Sequence, residues 1–218
     1  MKKAKNETSA VRWHGLYAIT PDETDTPRLL EAVAAVLEGG PALLQYRNKA
    51  AAPALRREQG ARVFALCRAA GVPLIINDDL ALALELDADG VHLGRGDGEL
   101  AAARRALDAM RPGRILGVSC YGEWARAEAA ASSGADYVAF GAVFASPTKP
   151  AAVRAPLELV GWARHELNMA VAAIGGITLA NAAEVFAAGA DLAAVITDVF
   201  GAPDPGARAA AYRALART

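Results

Sequence analysis

Long hydrophobic runs are missing from this 218-residue chain. Hydrophobic residues make up 54% of it, yet Ala dominates that share, and no stretch approaches the roughly 18 consecutive apolar residues that a membrane-spanning helix needs. An excess of charge of either sign is missing too. Lys and Arg number 23 against 24 Asp and Glu, which gives no electrostatic reason to expect nucleic acid or a membrane surface as partner. Any anionic ligand must therefore be met by local clusters. Cysteine is scarce: Cys67 and Cys120 lie far apart and in no metal-ligand spacing, which excludes a disulfide framework and fits a reducing cytoplasm. The opening MKKAKNETSA is basic with no apolar stretch behind it, unlike a signal peptide. We expect residues 1–13 to form a frayed N-terminal extension and residues 14–218 a single domain.

Short apolar, β-branched runs alternate with longer Ala- and Leu-rich segments whose charges recur at helical spacing. Strands are expected at 15–20, 42–46, 73–77, 89–93, 114–119, 136–141, 170–175 and 191–197. Helices are expected near 27–38, 54–70, 79–86, 98–110, 122–133, 156–167, 179–188 and 205–216. Several helices run into a Gly just before the next strand, in EGGPALL, AAGVPLII, SSGADYV and AAGADLA, as an αβ turn with a left-handed cap requires. Eight such units in about 200 residues fit an α/β fold of the (β/α)8 TIM-barrel type. A doubly wound sheet with one strand miscounted is the alternative. In a barrel, chemistry gathers at the C-terminal ends of the strands.

Those ends are polar. In LLQYRNK, Leu43 to Lys49, a strand continued to its end would turn Arg47 and Lys49 to one side, beside Gln45. Strand three ends in Asn77 and Asp78, strand four in His92 with Asp97 following, strand five in Ser119, and strand eight in Ile196 and Thr197. The loop FASPTKP contributes Ser146, Thr148 and Lys149, and IGGIT contributes Gly175 and Gly176. Asp78 and Asp97, the only carboxylates placed on this rim, are the hard oxygen pair that Mg²⁺ takes when water and substrate phosphate complete its shell. Asp78 could instead cap the helix that follows. Arg47, Lys49 and Lys149 suit a diphosphate, and the Gly-Gly turn after strand seven suits a second phosphate. His92 is either an acid, base or donor, or a packed core histidine. His14 and His165 read as structural, and Trp13, Trp124 and Trp162 as packing or interface residues.

QYRNK, IIND, DGVHLG followed by Asp97, GVS, SPTKP, IGGIT and VIT, in that order, resemble the thiamine-phosphate synthase (thiamine-phosphate pyrophosphorylase) family from Gly15 to about Phe200. The resemblance implies a transferase that joins 4-amino-5-hydroxymethyl-2-methylpyrimidine diphosphate to a thiazole phosphate, through a pyrimidine methylene cation left when pyrophosphate departs. It implies Mg²⁺ on Asp78 and Asp97, and the pyrimidine diphosphate on Gln45, Arg47, Lys49, Asn77 and Lys149. Ser119 would lie near the reacting pyrimidine, and Lys149, Ser119 and Arg47 would form the catalytic set. Ser146, Thr148, Gly175, Gly176, Ile196 and Thr197 would line the thiazole phosphate side. A cytoplasmic homodimer is implied as well, with no nucleic-acid or membrane partner. No nucleophile paired with a base is expected.

Three positions depart from the family pattern: Ser146 where Thr is frequent, Arg95 where Gln is common, and Asp79 where a basic residue is frequent. The first keeps the hydroxyl. The other two alter charge near the metal pair and partly offset each other. A thiazole tautomerase of the same fold and a non-catalytic phosphometabolite-binding barrel are the alternatives. Neither needs a diphosphate cage with two carboxylates. SPTKP and the segment after QYRNK are the candidate lids over the substrates.

Overall fold

The computed structural model describes residues 13–145 and 154–216. Eight parallel strands close a barrel in chain order, β1 (Gly15–Ile19), β2 (Leu43–Tyr46), β3 (Leu74–Asn77), β4 (Gly90–Leu93), β5 (Ile115–Tyr121), β6 (Tyr137–Gly141), β7 (Ala170–Ile174) and β8 (Leu192–Val195), with β1 paired to β8. Helices α1 (Thr26–Glu38), α2 (Pro53–Ala70), α3 (Leu80–Glu85), α4 (Leu100–Met110), α5 (Trp124–Ser132), α6 (Leu157–Leu167) and α7 (Ala182–Ala187) follow the first seven strands in turn. After β8 come two helices, α8 (Thr197–Phe200) and α9 (Pro205–Leu215). The closed order bears out the barrel and removes the open sheet.

Parallel strands covered on both faces read as continuous apolar runs, and here they divide by alternation. In β1, Tyr17 and Ile19 belong to one buried cluster with Leu43, Ile75, Ile115 and Tyr137, the filling of the barrel. Leu16 and Ala18 belong to the other, with Leu44, Leu74 and helix residues such as Leu29 and Val33. Trp13, assigned above to the extension, is buried in the barrel-filling cluster.

Local signals set the boundaries. Asp25, Asp79, Glu99 and Asp204 cap α1, α3, α4 and α9 by accepting N–H groups of the first turn. The expected glycine turns are left-handed, with φ of 72° at Gly40, 67° at Gly71, 80° at Gly134 and 97° at Gly189. Two expectations are corrected. Asp79, not Asp78, caps the third helix, because Asp78 itself sits at φ 61° and sends its side chain to the rim. Thr197 opens the one-turn helix α8 instead of ending β8. In that turn the Asp198 carboxylate accepts from Leu179 N–H, Arg208 and Tyr212, tying it to the β7 loop and α9.

Gly117 on β5 makes room for the Tyr137 ring from β6, since a Cβ there would overlap the ring and its hydroxyl. A Gly117→Ala chain is expected to lose about 1–3 kcal/mol through overpacking, read as a lower denaturation midpoint. An unchanged midpoint would show that Tyr137 has space to move.

Candidate active site

The rim is tied together by its own polar residues. Thr20, just past β1, donates to the Arg47 carbonyl at 2.7 Å and accepts the Arg47 N–H at 2.8 Å, locking the β1 and β2 loops in register. Asp22 takes the Arg47 guanidinium at 3.0 Å and the Lys49 backbone N–H. Burial works against that carboxylate, but the Lys49 N–H and Arg47 hold its pKa below the usual range. Because β2 ends at Tyr46, strand alternation does not place Arg47 and Lys49. They are held by different carboxylates, Arg47 by Asp22 and Lys49 by Asp78. Asp22 is thus a third rim carboxylate beside the expected two. The acidic PDETD segment after strand one is the sequence signal for it.

The Lys49 ammonium lies 2.8 Å from Asp78 Oδ2. Burial raises the Asp78 pKa, yet its bonds to Lys49, Asp97 and Asn77 bring it below the usual carboxylate value. Asp97 moves the other way. Partial burial and the adjacent Asp78 charge raise it, against the opposing bond from Gly94 N–H at 2.7 Å. Two carboxylates in hydrogen-bond contact repel unless a proton or a cation lies between them. Gly94 lets the chain pack close to the pair, for a Cβ there would stand 2.9 Å from Asp97 Oδ2 and 3.9 Å from Asp78 Oδ1. The paired carboxylates fit a divalent cation. Among the described residues no group of three or more His, Cys, Asp or Glu side chains gathers. Two protein carboxylates completed by water and phosphate oxygens is an arrangement Mg²⁺ accepts.

A cleft of about 270 Å³ opens between the β2 and β3 loops, lined by Lys49, Asn77 and Asp78 and also by Asn48 and Arg56. The last two carry unused polar capacity, since Asn48 Oδ1 and Arg56 Nε are buried with no hydrogen-bond partner among the described residues. Neither residue stood out in the sequence.

Gln45, His92 and Ser119 meet inside the mouth with two strand residues the sequence reading did not single out, Tyr17 and Tyr137. Gln45 Nε2 donates to the Tyr17 hydroxyl at 2.6 Å, and the two tyrosine hydroxyls are 2.7 Å apart. Tyr137 reaches His92 Nδ1 at 2.8 Å, and His92 Nε2 reaches Ser119 Oγ at 2.8 Å. A hydroxyl and an imidazole are therefore paired, where no such pair was expected. Two tyrosines at inward positions of otherwise apolar strands are the available signal. Arg126 on α5 closes the rim, donating to the carbonyls of Ser119 at 2.6 Å and Gly94 at 2.8 Å.

On the opposite side, Gly175 and Gly176 have φ of 100° and 65° and lie against Ala142 and the Ala145 carbonyl, where a Cβ would collide. Packing alone thus demands glycine at both. Ile196 precedes α8 on the neighbouring strand end. Ser146, Thr148 and Lys149 lie outside the described residues. His14 bonds to the Ala216 carbonyl at 2.9 Å, while His165 is exposed and meets Glu166 at 3.0 Å. Trp124 and Trp162 stack at 4.1 Å, with Trp162 exposed. Cys67 and Cys120 are both buried and unpaired. No described helix is long and apolar enough to cross a membrane.

The family model described as thiamine monophosphate synthase matches residues 16–199. The thiamine-phosphate synthase of Aromatoleum aromaticum is 66% identical over 204 residues, 94% of this chain and 97% of that protein. That of an Azoarcus species is 60% identical, over 94% and 98%. Among solved structures, a thiamine phosphate pyrophosphorylase from Pyrococcus furiosus superposes with a TM-score of 0.82 at 33% identity, over 93% and 95% of the two chains. A 3-hexulose-6-phosphate synthase, at 21% identity and a TM-score of 0.68, shares the fold.

Burial pushes the His92 pKa down to about 4, with Arg126 helping and Asp78 opposing. The unfolded chain then binds more protons than the folded one between about pH 6.5 and 4. Stability contributed by neutral His92 is complete above that window and lost as pH falls through it, by roughly 3 kcal/mol in all. The denaturation midpoint should fall more steeply between pH 7 and 4 in the parent protein than in His92→Gln. Parallel pH profiles would contradict a buried neutral imidazole.

Proposed function

The chain belongs to the thiamine monophosphate synthase family, and from that premise we propose how its rim carries out the synthesis. The protein is an enzyme, a transferase that makes thiamine phosphate from small-molecule substrates. In the proposed reaction, 4-amino-5-hydroxymethyl-2-methylpyrimidine diphosphate loses pyrophosphate when its methylene C–O bond breaks, both electrons leaving with the oxygen. The ring nitrogen of 4-methyl-5-(2-phosphoethyl)thiazole, or of its carboxylate form, then attacks the methylene cation and forms the C–N bond, the carboxylate form also losing its carboxyl group as CO2 to reach thiamine phosphate. No strong protein base is required for either step.

The observation that carries this is the Asp78–Asp97 pair with Lys49 against it. Mg²⁺ held by Asp78 and Asp97 would neutralise diphosphate charge and favour its departure. Lys49, Arg47, Asn77 and Lys149 bind the diphosphate oxygens, Arg47 with a planar fork and the lysines as point charges. Gln45 and Ser119 face the pyrimidine end. Ser146, Thr148 and the turns at Gly175–Gly176 and Ile196–Thr197 receive the thiazole phosphate. Asp22 keeps Arg47 and Lys49 in place, as its bonds to the Arg47 side chain and the Lys49 backbone support. The enzyme acts in this proposal as a cytoplasmic homodimer.

Pyrophosphate release by the purified protein should require both substrates and Mg²⁺ and should give thiamine phosphate as product. Asp78→Asn and Asp97→Asn should each lower turnover by on the order of a hundredfold, as loss of several kcal/mol of charge stabilisation implies. Undiminished release in a chelator would contradict the metal assignment. No release under any condition, with proton exchange on a thiazole phosphate instead, would move the chain to the tautomerase reading.

A further inference from the structure

Ser119 and His92 sit 2.8 Å apart, the spacing of a nucleophile and its base. The direction of the hydrogen bonds behind them decides whether that pairing works so. The chain runs from Gln45 through Tyr17, Tyr137 and His92 to Ser119, and all but Ser119 are buried. Each tyrosine hydroxyl has one proton to give. Tyr17 accepts from the Gln45 amide, so its proton goes to Tyr137. Tyr137 has then accepted one, and its own proton goes to Nδ1 of His92. A neutral imidazole that accepts at Nδ1 carries its hydrogen on Nε2 and donates it to Ser119 Oγ.

With the Gln45 amide nitrogen facing Tyr17, the opposite direction leaves a proton without an acceptor. If Ser119 donated to Nε2, then Nδ1–H would point at Tyr137, Tyr137 at Tyr17, and Tyr17 at an amide nitrogen that is itself a donor. A buried polar group left unsatisfied costs about 1–3 kcal/mol. A protonated imidazole fails for the same reason, because it would donate to Tyr137 as Tyr17 does. Among the described residues the charged groups that act on the ring are Asp78 and Arg126, whose effects on it oppose each other.

We propose that Tyr17, Tyr137 and His92 are positioning residues that fix the His92 hydrogen on Nε2 and so make Ser119 a hydrogen-bond donor to the first substrate, not a nucleophile. With its oxygen occupied by His92, the remaining Ser119 hydrogen is free for an acceptor atom. The atom that gains charge in the reaction proposed above, on which this inference rests, is the diphosphate oxygen released from the methylene carbon. A donor fixed before the bond breaks stabilises that charge without reorganising.

Ring ¹⁵N spectra of histidine-labelled protein test the tautomer without any substrate. The chain has three histidines, and the His92 signal is the one lost in His92→Gln. The expected spectrum shows hydrogen on Nε2 and a bare Nδ1. Gln45→Glu puts an acceptor at the far end of the chain and should move the hydrogen to Nδ1. If that variant does not fold, the parent spectrum still decides. Turnover gives a second test. Tyr137→Phe should lower kcat about tenfold with KM changed less than about twofold, and should cost nothing further in a Ser119→Ala background. Hydrogen on Nδ1 in the parent protein, or a Tyr137→Phe loss of the same size with and without the Ser119 hydroxyl, would overturn the proposal. A wrong tautomer in a protein that still makes thiamine phosphate refutes only this inference. The expected tautomer in a protein that makes none refutes only the proposed reaction.

Discussion

Two carboxylates held against each other at the barrel mouth, Asp78 and Asp97, create a repulsion that the surrounding residues answer. Lys49 leans on one, the Gly94 N–H on the other, and Gly94 leaves out the side chain that would press on Asp97. Asp78 is held in a left-handed backbone conformation to get there, which costs on the order of 1 kcal/mol or more for a residue other than glycine. Such strain persists only where neighbouring structure enforces it, and here the Asp78 N–H is bound to the His92 carbonyl at 2.8 Å. On the proposed function, such a site would gain most when a cation and an anionic ligand arrive together.

The barrel interior supports the mouth from below. Gly117 yields its place to the Tyr137 ring, and Tyr137 then stands where it can meet both Tyr17 and His92. Burial keeps both phenols neutral by pushing their pKa values up, so each supplies one proton and no charge. Parallel pairing sets the heights, with Asn77 beside His92 and His92 beside Gly117. Packing and polarity are coupled through one small residue on β5.

Much of this was legible in the chain itself. Alternating apolar runs and glycine turns are local signals, and they located all eight strands to within a few residues. The charged motifs fell at strand ends for the same reason, because periodicity fixes where a strand stops. Tyr17 and Tyr137 were not legible as site residues, since an inward tyrosine on a buried strand reads as core until its hydroxyl partners are known. Arg126 acts through backbone carbonyls of distant strand ends, which no spacing encodes, and for Asp22 the acidic PDETD segment signals a carboxylate without naming its partners. Arg47 and Lys49 were located correctly at the rim for an incomplete reason: ion pairs to Asp22 and Asp78 hold them, not the strand's alternation.

Calorimetric titration with inorganic pyrophosphate, with and without Mg²⁺, tests most directly the claim that these carboxylates and cations form one metal-dependent diphosphate site. Mg²⁺ is expected to tighten pyrophosphate binding in the parent protein and to have no such effect once both Asp78 and Asp97 are replaced by Asn. Equal affinity with and without Mg²⁺ in the parent protein would contradict the account.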